Sequence, residues 1–425
     1  MDENLKILKK YNLWGDAQFD LGYTRTYTEK LISYSGSSRL IKVLVGQRRS
    51  GKSYILRQVA HRLVESGVDA RNTLFISREF IDFEFLSTSA QLHDLIELYL
   101  KEIKPEGRIY IFIDEIQTIE GWERVVNSYS QDFTGEYEIF ISGSNSTMLS
   151  GELATLLSGR YVTFNIFPFS YTEYLGITEQ SLSKQSYLEY MKSGGLPELF
   201  ALGKEELKRN YISAIKNTVM LKDIIQRYNI RDPKLLDDIF VFLVNNASNL
   251  VSISSIVKYF KGLGRKTSYD GVASYIGYLE DTFLVHRCDR YDIKGKDTLS
   301  GTAKFYINDH SYKNYLYSGF GYGAGYMLEN LVYLELRRAG YDIYVGNIKG
   351  KEVDFVAKRA DEILYVQVVY MLIDEATVER EYSALEVIDD NYEKVVISLD
   401  DFALPSRGGV KHVQAWNLRE ELEKE

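Results

Sequence analysis

The octapeptide Gly46-Gln47-Arg48-Arg49-Ser50-Gly51-Lys52-Ser53 sets a glycine four residues ahead of Gly-Lys-Ser. That spacing suits an anion. Glycines let the backbone wrap so that several N–H groups converge on one phosphate. A helix starting at the end of the loop adds the positive end of its dipole. Lys52 supplies a mobile cation, and the Ser53 hydroxyl can ligate Mg²⁺. All eight positions are therefore candidate binding residues.

Some sixty residues further on, Ile109-Tyr110-Ile111-Phe112-Ile113 runs into Asp114-Glu115. An apolar run ending in two acids places both at the carboxyl edge of a sheet, where open α/β sheets bind ligands. Asp114 is the second candidate for the metal shell. Glu115 is the candidate that polarises an attacking water. The next apolar run ends in Ser142-Gly143-Ser144-Asn145-Ser146, and Ser144 or Asn145 could hydrogen-bond that water or a terminal phosphate. Arg160, in Leu157-Ser158-Gly159-Arg160, is a candidate arginine finger, acting in its own chain or on a neighbouring copy. The catalytic set is thus Lys52, Glu115, Asn145 and Arg160.

These residues need a scaffold. Strands are expected at 41–45, 73–77, 109–113 and 137–141, with a helix from Ser53 to about Glu65. Alternating strands and helices indicate a parallel α/β sheet. From about 180 to 281 the pattern is helical. Residues 234–290 read as helix, helix, turn, helix and strand, with Lys304–Asn308 as a hairpin partner, which is a winged-helix pattern. Its recognition segment would be Lys266-Thr267-Ser268-Tyr269-Asp270, beside Lys258, Lys261 and Arg265. Beyond Gly325 come a helix at 326–338, strands at 342–346, 352–357, 363–369 and 394–398, and a helix near 374–388.

The last region raises a second chemistry. Asp354 on one strand and Gln367 and Val369 on the next occupy positions where a nuclease of one large superfamily has Asp and Glu-x-Lys. Glu329 could assist Asp354 as a ligand. Gln367 offers only a neutral oxygen, and Val369 cannot position water or offset charge. Lys349, Lys351 and Lys358 are the nearby lysines that could substitute. The balance favours a module that has lost cleavage.

Composition narrows the class. Of 425 residues, 45% are hydrophobic and 26% charged, as in a globular protein long enough for two or three cores. One Cys and five His exclude a disulfide framework and argue against a Cys/His zinc site. No apolar run is long enough to span a membrane, and MDENLKILKK has no signal-like apolar core, so the expected compartment is the cytoplasm. The 34 Tyr read as fillers of half-buried positions rather than as a stacking platform. Residues 326–425 carry 12 Lys and Arg against 21 Asp and Glu, so the net charge of −9 resides there. An acidic module is a poor non-specific binder of phosphate backbones.

Taken together the chain resembles the prokaryotic AAA-like P-loop ATPases that end in the domain of unknown function numbered 4143. The resemblance is carried by Tyr11-Asn12-Leu13-Trp14, the loop Gly46–Ser53, Ile113-Asp114-Glu115-Ile116-Gln117 and Ile141-Ser142-Gly143-Ser144-Asn145. It continues through Gly159-Arg160, Phe167-Pro168-Phe169-Ser170 and Gly194-Gly195-Leu196-Pro197-Glu198. Leu328-Glu329-Asn330, Glu352-Val353-Asp354-Phe355 and Val366-Gln367-Val368 complete it. It implies ATP and Mg²⁺ as ligands, and a C-terminal restriction-endonuclease-like fold behind a winged helix. No Asn-Lys-x-Asp guanine-reading motif follows the loop. The expected organisation is an α/β chain with a P-loop ATPase domain at 1–175, a helical and winged-helix domain at 176–310 and a degenerate nuclease-like domain at 311–425. The expected activity is ATP hydrolysis. The partner is left open between DNA at the winged helix, another protein and a second copy of the chain.

Overall fold

The computed structural model describes residues 2–15, 17–36, 38–145, 157, 159–317 and 323–424. Ser146 and Ser158 of the two quoted loops lie outside these. The chain forms two compact units, Met1–Ile166 and Phe167–Glu425. Among the described residues no helix is long and apolar enough to cross a membrane.

In the first unit, strands β1 (Ile41–Val45), β2 (Thr73–Ser77), β3 (Arg108–Asp114), β4 (Glu136–Gly143) and β5 (Tyr161–Asn165) form a sheet ordered β2-β3-β4-β1-β5. Every pairing is parallel. β1 and β2 are buried at every residue, which is why their sequences are apolar without alternation. The charged exception is Lys42, whose Nζ lies 2.6 Å from Glu138 Oε1 on β4, both side chains 1% exposed. Helix α1 (Glu3–Tyr11) precedes the sheet, α2 (Thr26–Ser33) leads into β1, and α3 (Lys52–Glu65) follows it. Leu44, Phe112 and Phe140 pack with Ile55, Leu56 and Val59 of α3.

Edge strand β2 is closed by side chains. Asn12 Oδ1 accepts from Phe75 N at 2.6 Å, and Asn12 Nδ2 donates to Phe75 O at 3.0 Å. Trp14 Nε1 donates to Thr73 O at 3.0 Å. The Tyr11–Trp14 motif thus stands in for a neighbouring strand and satisfies backbone groups that an edge leaves open.

The second unit opens at Phe167, nine residues before the expected opening at 176. Tyr171 and Tyr174 belong to a buried aromatic cluster with Tyr187 and Tyr190, so the segment after β5 packs forward along the chain. Helices Pro233–Asn245, Ile253–Gly262 and Tyr269–Asp281 precede the hairpin β6 (Val285–Asp292) and β7 (Asp297–Ile307). After helix Ala324–Arg338 come β8 (Asp342–Ile348), β9 (Lys351–Arg359), β10 (Glu362–Val368), β11 (Glu393–Ser398) and β12 (Val410–Gln414). Helix Glu375–Glu386 lies between β10 and β11.

All seven strands form one sheet ordered β12-β11-β10-β9-β8-β6-β7. This sheet runs across residue 310, where a division was expected. β6 pairs in parallel with β8 through Arg290–Asp292 and Val345–Asn347, joining the hairpin to the later strands. Asn330 reinforces the join: its side chain accepts from Ile307 N at 2.8 Å and donates to Ile307 O at 2.9 Å, closing edge strand β7 as Asn12 closes β2.

Candidate functional site

The carboxyl ends of β1, β3 and β4 are adjacent because β4 lies between the other two. The loop Gly46–Ser53 leaves β1 there. Gly46 has φ 156°, and a Cβ on it would stand 2.2 Å from Ile166 O. Gly51 has φ 101°, where a side chain would be strained. Lys52 begins α3, is buried, and donates from Nζ to Gly46 O at 3.0 Å and Gln47 O at 3.1 Å. Burial pulls its pKa down, against the nearby charges of Glu115 and Asp114. Gln47 and Ser50 are buried, Arg49 is exposed, and Arg48 Nη1 lies 3.4 Å from Glu79 Oε1.

Asp114 ends β3 and is 1% exposed. Ser142 Oγ donates to Asp114 Oδ1, and Ser77 Oγ donates to Oδ2 at 3.1 Å. Burial raises the Asp114 pKa, opposed by hydrogen bonds from Ser142 and Ser53. That contact brings the two sequence-derived metal candidates, Ser53 and Asp114, together. Ser142 also accepts from Glu115 N at 3.2 Å, so one hydroxyl ties the ends of β3 and β4.

Glu115 takes a left-handed conformation, φ 54°, on the turn after β3. Such strain costs a non-glycine residue of order 1–3 kcal/mol and collects at functional positions. Its Oε2 accepts from Gln117 Nε2 at 2.6 Å and from Ser144 Oγ at 3.2 Å. Asn145, beyond β4, is 2% exposed. Lys52, Asp114, Glu115, Ser144 and Asn145 therefore share one sheet edge. Gln117 had been legible only as a letter of a motif; the structure makes it the support of Glu115.

Arg160 is placed elsewhere. Its carbonyl accepts from Ile41 N at 2.9 Å, which puts it at the opposite end of β1. Five residues of strand separate it from the loop, ~16 Å at the rise of a β-strand. Its backbone therefore lies at the end of β1 away from the loop of its own chain.

These residues fit a nucleotide with Mg²⁺. The loop has no room for a side chain at Gly46, a buried lysine stands at its mouth, and a buried acid is joined to Ser53. One residue escaped sequence reading. Arg25, 2% exposed, donates from Nη1 to Ser50 O at 2.6 Å. No spacing rule connects it to the loop.

A second polar cluster lies in the other unit. Lys304 Nζ is 2.8 Å from Glu329 Oε1, 2.9 Å from Glu352 Oε1 and 3.3 Å from Asp354 Oδ1. Tyr306 OH donates to Glu329 Oε1 at 2.7 Å. Burial lowers the Lys304 pKa, but Asp354, Glu329 and Glu352 together carry it well above the ordinary value. Asp354 Oδ2 accepts from Val368 N at 2.8 Å. Gln367 Nε2 donates to Glu381 Oε2 at 2.9 Å, and Gln367 Oε1 accepts from Asp354 N at 3.3 Å. None of the three lysines suggested by sequence is the one found at Asp354: Lys351 Nζ bonds Ser383, Lys358 Nζ sits 3.5 Å from the Tyr291 ring centre, and Lys349 holds a turn at φ 50°.

Residues 38–175 match a family model described as an AAA domain, and residues 184–321 match a domain of unknown function (DUF8612). The second match spans helices and the β6–β7 hairpin, rather than the C-terminal strands where the sequence resemblance had placed its own domain of unknown function. An uncharacterized protein of Haemophilus influenzae is 37% identical over 376 residues, covering 88% of this chain and 92% of its own. An uncharacterized protein of Methanocaldococcus jannaschii is 31% identical over 361 residues, covering 81% and 78%. Among solved structures, the Walker-type ATPase of Pyrococcus abyssi aligns with TM-score 0.48 at 16% identity, over 71% of this chain and 99% of that one.

Proposed function

For this chain, which belongs to the family of its Haemophilus and Methanocaldococcus relatives and carries an AAA-type nucleotide-binding ATPase domain, we propose a cytoplasmic, Mg²⁺-dependent ATP hydrolase whose nucleotide state governs its second unit. The observation that carries the reading is the convergence of Lys52, Asp114, Glu115 and Asn145 on one sheet edge. Lys52 and the loop N–H groups bind the phosphates. Ser53 and Asp114 are the residues that would hold Mg²⁺, which neutralises phosphate charge when bound. Glu115, steadied by Gln117 and Ser144, accepts a hydrogen bond from the attacking water and turns it toward the terminal phosphorus. Asn145 donates to the terminal phosphate or that water, and Arg160 of a second copy completes the charge stabilisation.

We read the three helices and hairpin of residues 233–307 as winged-helix-like, and the strands after residue 341 as restriction-endonuclease-like. Duplex DNA is the favoured partner. Lys258, Lys261 and Lys266 are exposed together with Tyr259 and Tyr269, although Arg265 is engaged by Asp238. A protein-directed switch is the alternative, supported by the acidity of the last hundred residues. An ATP-gated nuclease is disfavoured, because the Lys304 ammonium stands among the carboxylates that would otherwise take a cation.

The test is Mg²⁺-ATP hydrolysis by the full chain with and without duplex or single-stranded DNA, at low and moderate salt, with Lys52→Ala as the blank. Stimulation that fades with salt supports the DNA-linked reading. A Lys52-dependent rate indifferent to DNA supports the protein-directed switch. No Lys52-dependent turnover overturns both.

A further inference from the structure

Before β1 the chain crosses α3 and is fastened to it. Gln58 of α3 spends its whole amide on this segment. Its Nε2 donates to Leu21 O at 2.6 Å and Tyr23 O at 2.8 Å. Its Oε1 accepts from Arg25 N at 3.1 Å and Thr28 Oγ1 at 2.7 Å. Tyr54 OH donates to Asp20 Oδ2 at 3.1 Å, and a Cβ on Gly22 would touch the Tyr54 ring at 2.9 Å. Residues 20–28 are therefore a strap across the helix that begins at the phosphate loop. Its deepest side chain is Arg25, bonded to Ser50 O and 2.7 Å from where a Gly51 Cβ would stand.

The Ser50–Gly51 peptide is planar and trans, so its C=O and N–H point in opposite directions. A guanidinium holding the carbonyl on one side fixes the Gly51 N–H toward the other. It also keeps a carbonyl dipole from rotating into the phosphate cradle. Hydrogen bonds involving a charged donor are the stronger kind, and burial removes competing water.

We infer that Arg25 is a positioning residue for phosphate binding: through Ser50 it sets the anion cradle, and the Gln58-anchored strap holds Arg25 in place. The inference rests on the nucleotide reading above. It adds a determinant outside the octapeptide and assigns the segment ahead of β1 a part in nucleotide affinity.

The experiment measures binding of Mg²⁺ with a fluorescent ATP analogue, and hydrolysis, for the full chain. The variants are Arg25→Ala, Arg25→Lys, Gln58→Glu, Lys42→Met and Lys52→Ala, each checked by thermal unfolding. Losing one charge-assisted bond predicts that Arg25→Ala weakens binding about tenfold or more. The loss is in affinity and KM, with kcat little changed, because Arg25 acts on the phosphate loop through the Ser50 carbonyl. Arg25→Lys, which keeps a donor and a charge, recovers part of the affinity. Gln58→Glu, which removes two donors from the strap without touching the loop, weakens binding in the same direction. Lys42→Met, a destabilising change at the far end of β1, leaves affinity unaltered. Wild-type affinity in both Arg25→Ala and Gln58→Glu overturns the inference. Should Arg25→Ala fail to fold, unchanged affinity in Arg25→Lys and Gln58→Glu overturns it equally. A wild-type chain that binds no nucleotide sinks the ATP reading itself, a separate outcome.

Discussion

Lys304 Nζ on β7 donates to Glu329 Oε1 on the Ala324–Arg338 helix at 2.8 Å, with both side chains nearly sealed from solvent. The bond ties the hairpin to the helix and holds a positive charge among Glu329, Glu352 and Asp354. Removing it strands the Asp354 carboxylate and takes a donor from Glu329. Lys304→Met is expected to destabilise the second unit by ~3–5 kcal/mol, the usual cost of breaking a buried pair from one side. Chemical unfolding of the full chain, followed by a probe in that unit, reads the loss. The double variant Lys304→Met with Asp354→Asn should recover part of it.

The same pair predicts a pH signature. Burial and the charge of Asp354 push Glu329 up to about 8, with Lys304 and Tyr306 opposing. Its folded pKa lies above its unfolded one, so the folded state binds the extra proton between ~4.3 and the folded value. Its contribution is full at low pH and is lost as pH rises toward 8. Buried His286 and His310, both lowered to about 4 by burial, act oppositely and lose stability as pH falls below ~6.5. Unfolding titrations should show stability declining from pH 6.5 to 8, and Glu329→Gln should flatten that limb.

Glu115 and Lys52 should separate binding from turnover. Glu115→Gln keeps the size and a partner for Ser144 but cannot accept a proton. It should bind Mg²⁺-ATP while hydrolysing ~10²–10⁴-fold more slowly. Lys52→Ala should lose binding. A Glu115→Gln chain with full turnover would remove Glu115 from the mechanism.

Asn12 should matter to the ATPase unit although the strand it bonds is β2, at the sheet's edge. Asn12→Ala leaves Phe75 N–H and C=O without their side-chain partner, at ~1–3 kcal/mol for each buried group left unsatisfied. Hydrogen exchange should report it locally, with the Phe75 amide losing protection before the rest of β2.

Gly46 offers a steric check. A Cβ there meets Ile166 O at 2.2 Å, too close for rotation to relieve. Gly46→Ala should therefore distort the loop and depress nucleotide binding more than Gly67→Ala, where nothing lies within 4 Å of the added carbon.

What the sequence by itself determined was where the first unit's candidate site residues fall. The octapeptide, the two acids after Ile113 and the polar residues after Ile141 were legible because parallel strands buried on both faces are continuous apolar runs. Whatever ends each run falls at one sheet edge. Helix and strand order in the second unit was also legible from periodicity. Tertiary structure alone decided three things. It separated Arg160 from the loop of its own chain, because a residue before β5 and a loop after β1 sit at opposite ends of parallel neighbours. It merged two expected modules, because the β6–β8 pairing is made by backbone groups that have no sequence signature. It brought Arg25 to Ser50 and Lys304 to Asp354, across 25 and 50 residues of chain. Periodicity is local, whereas a buried charge finds its partner in three dimensions, wherever the packed chain delivers one.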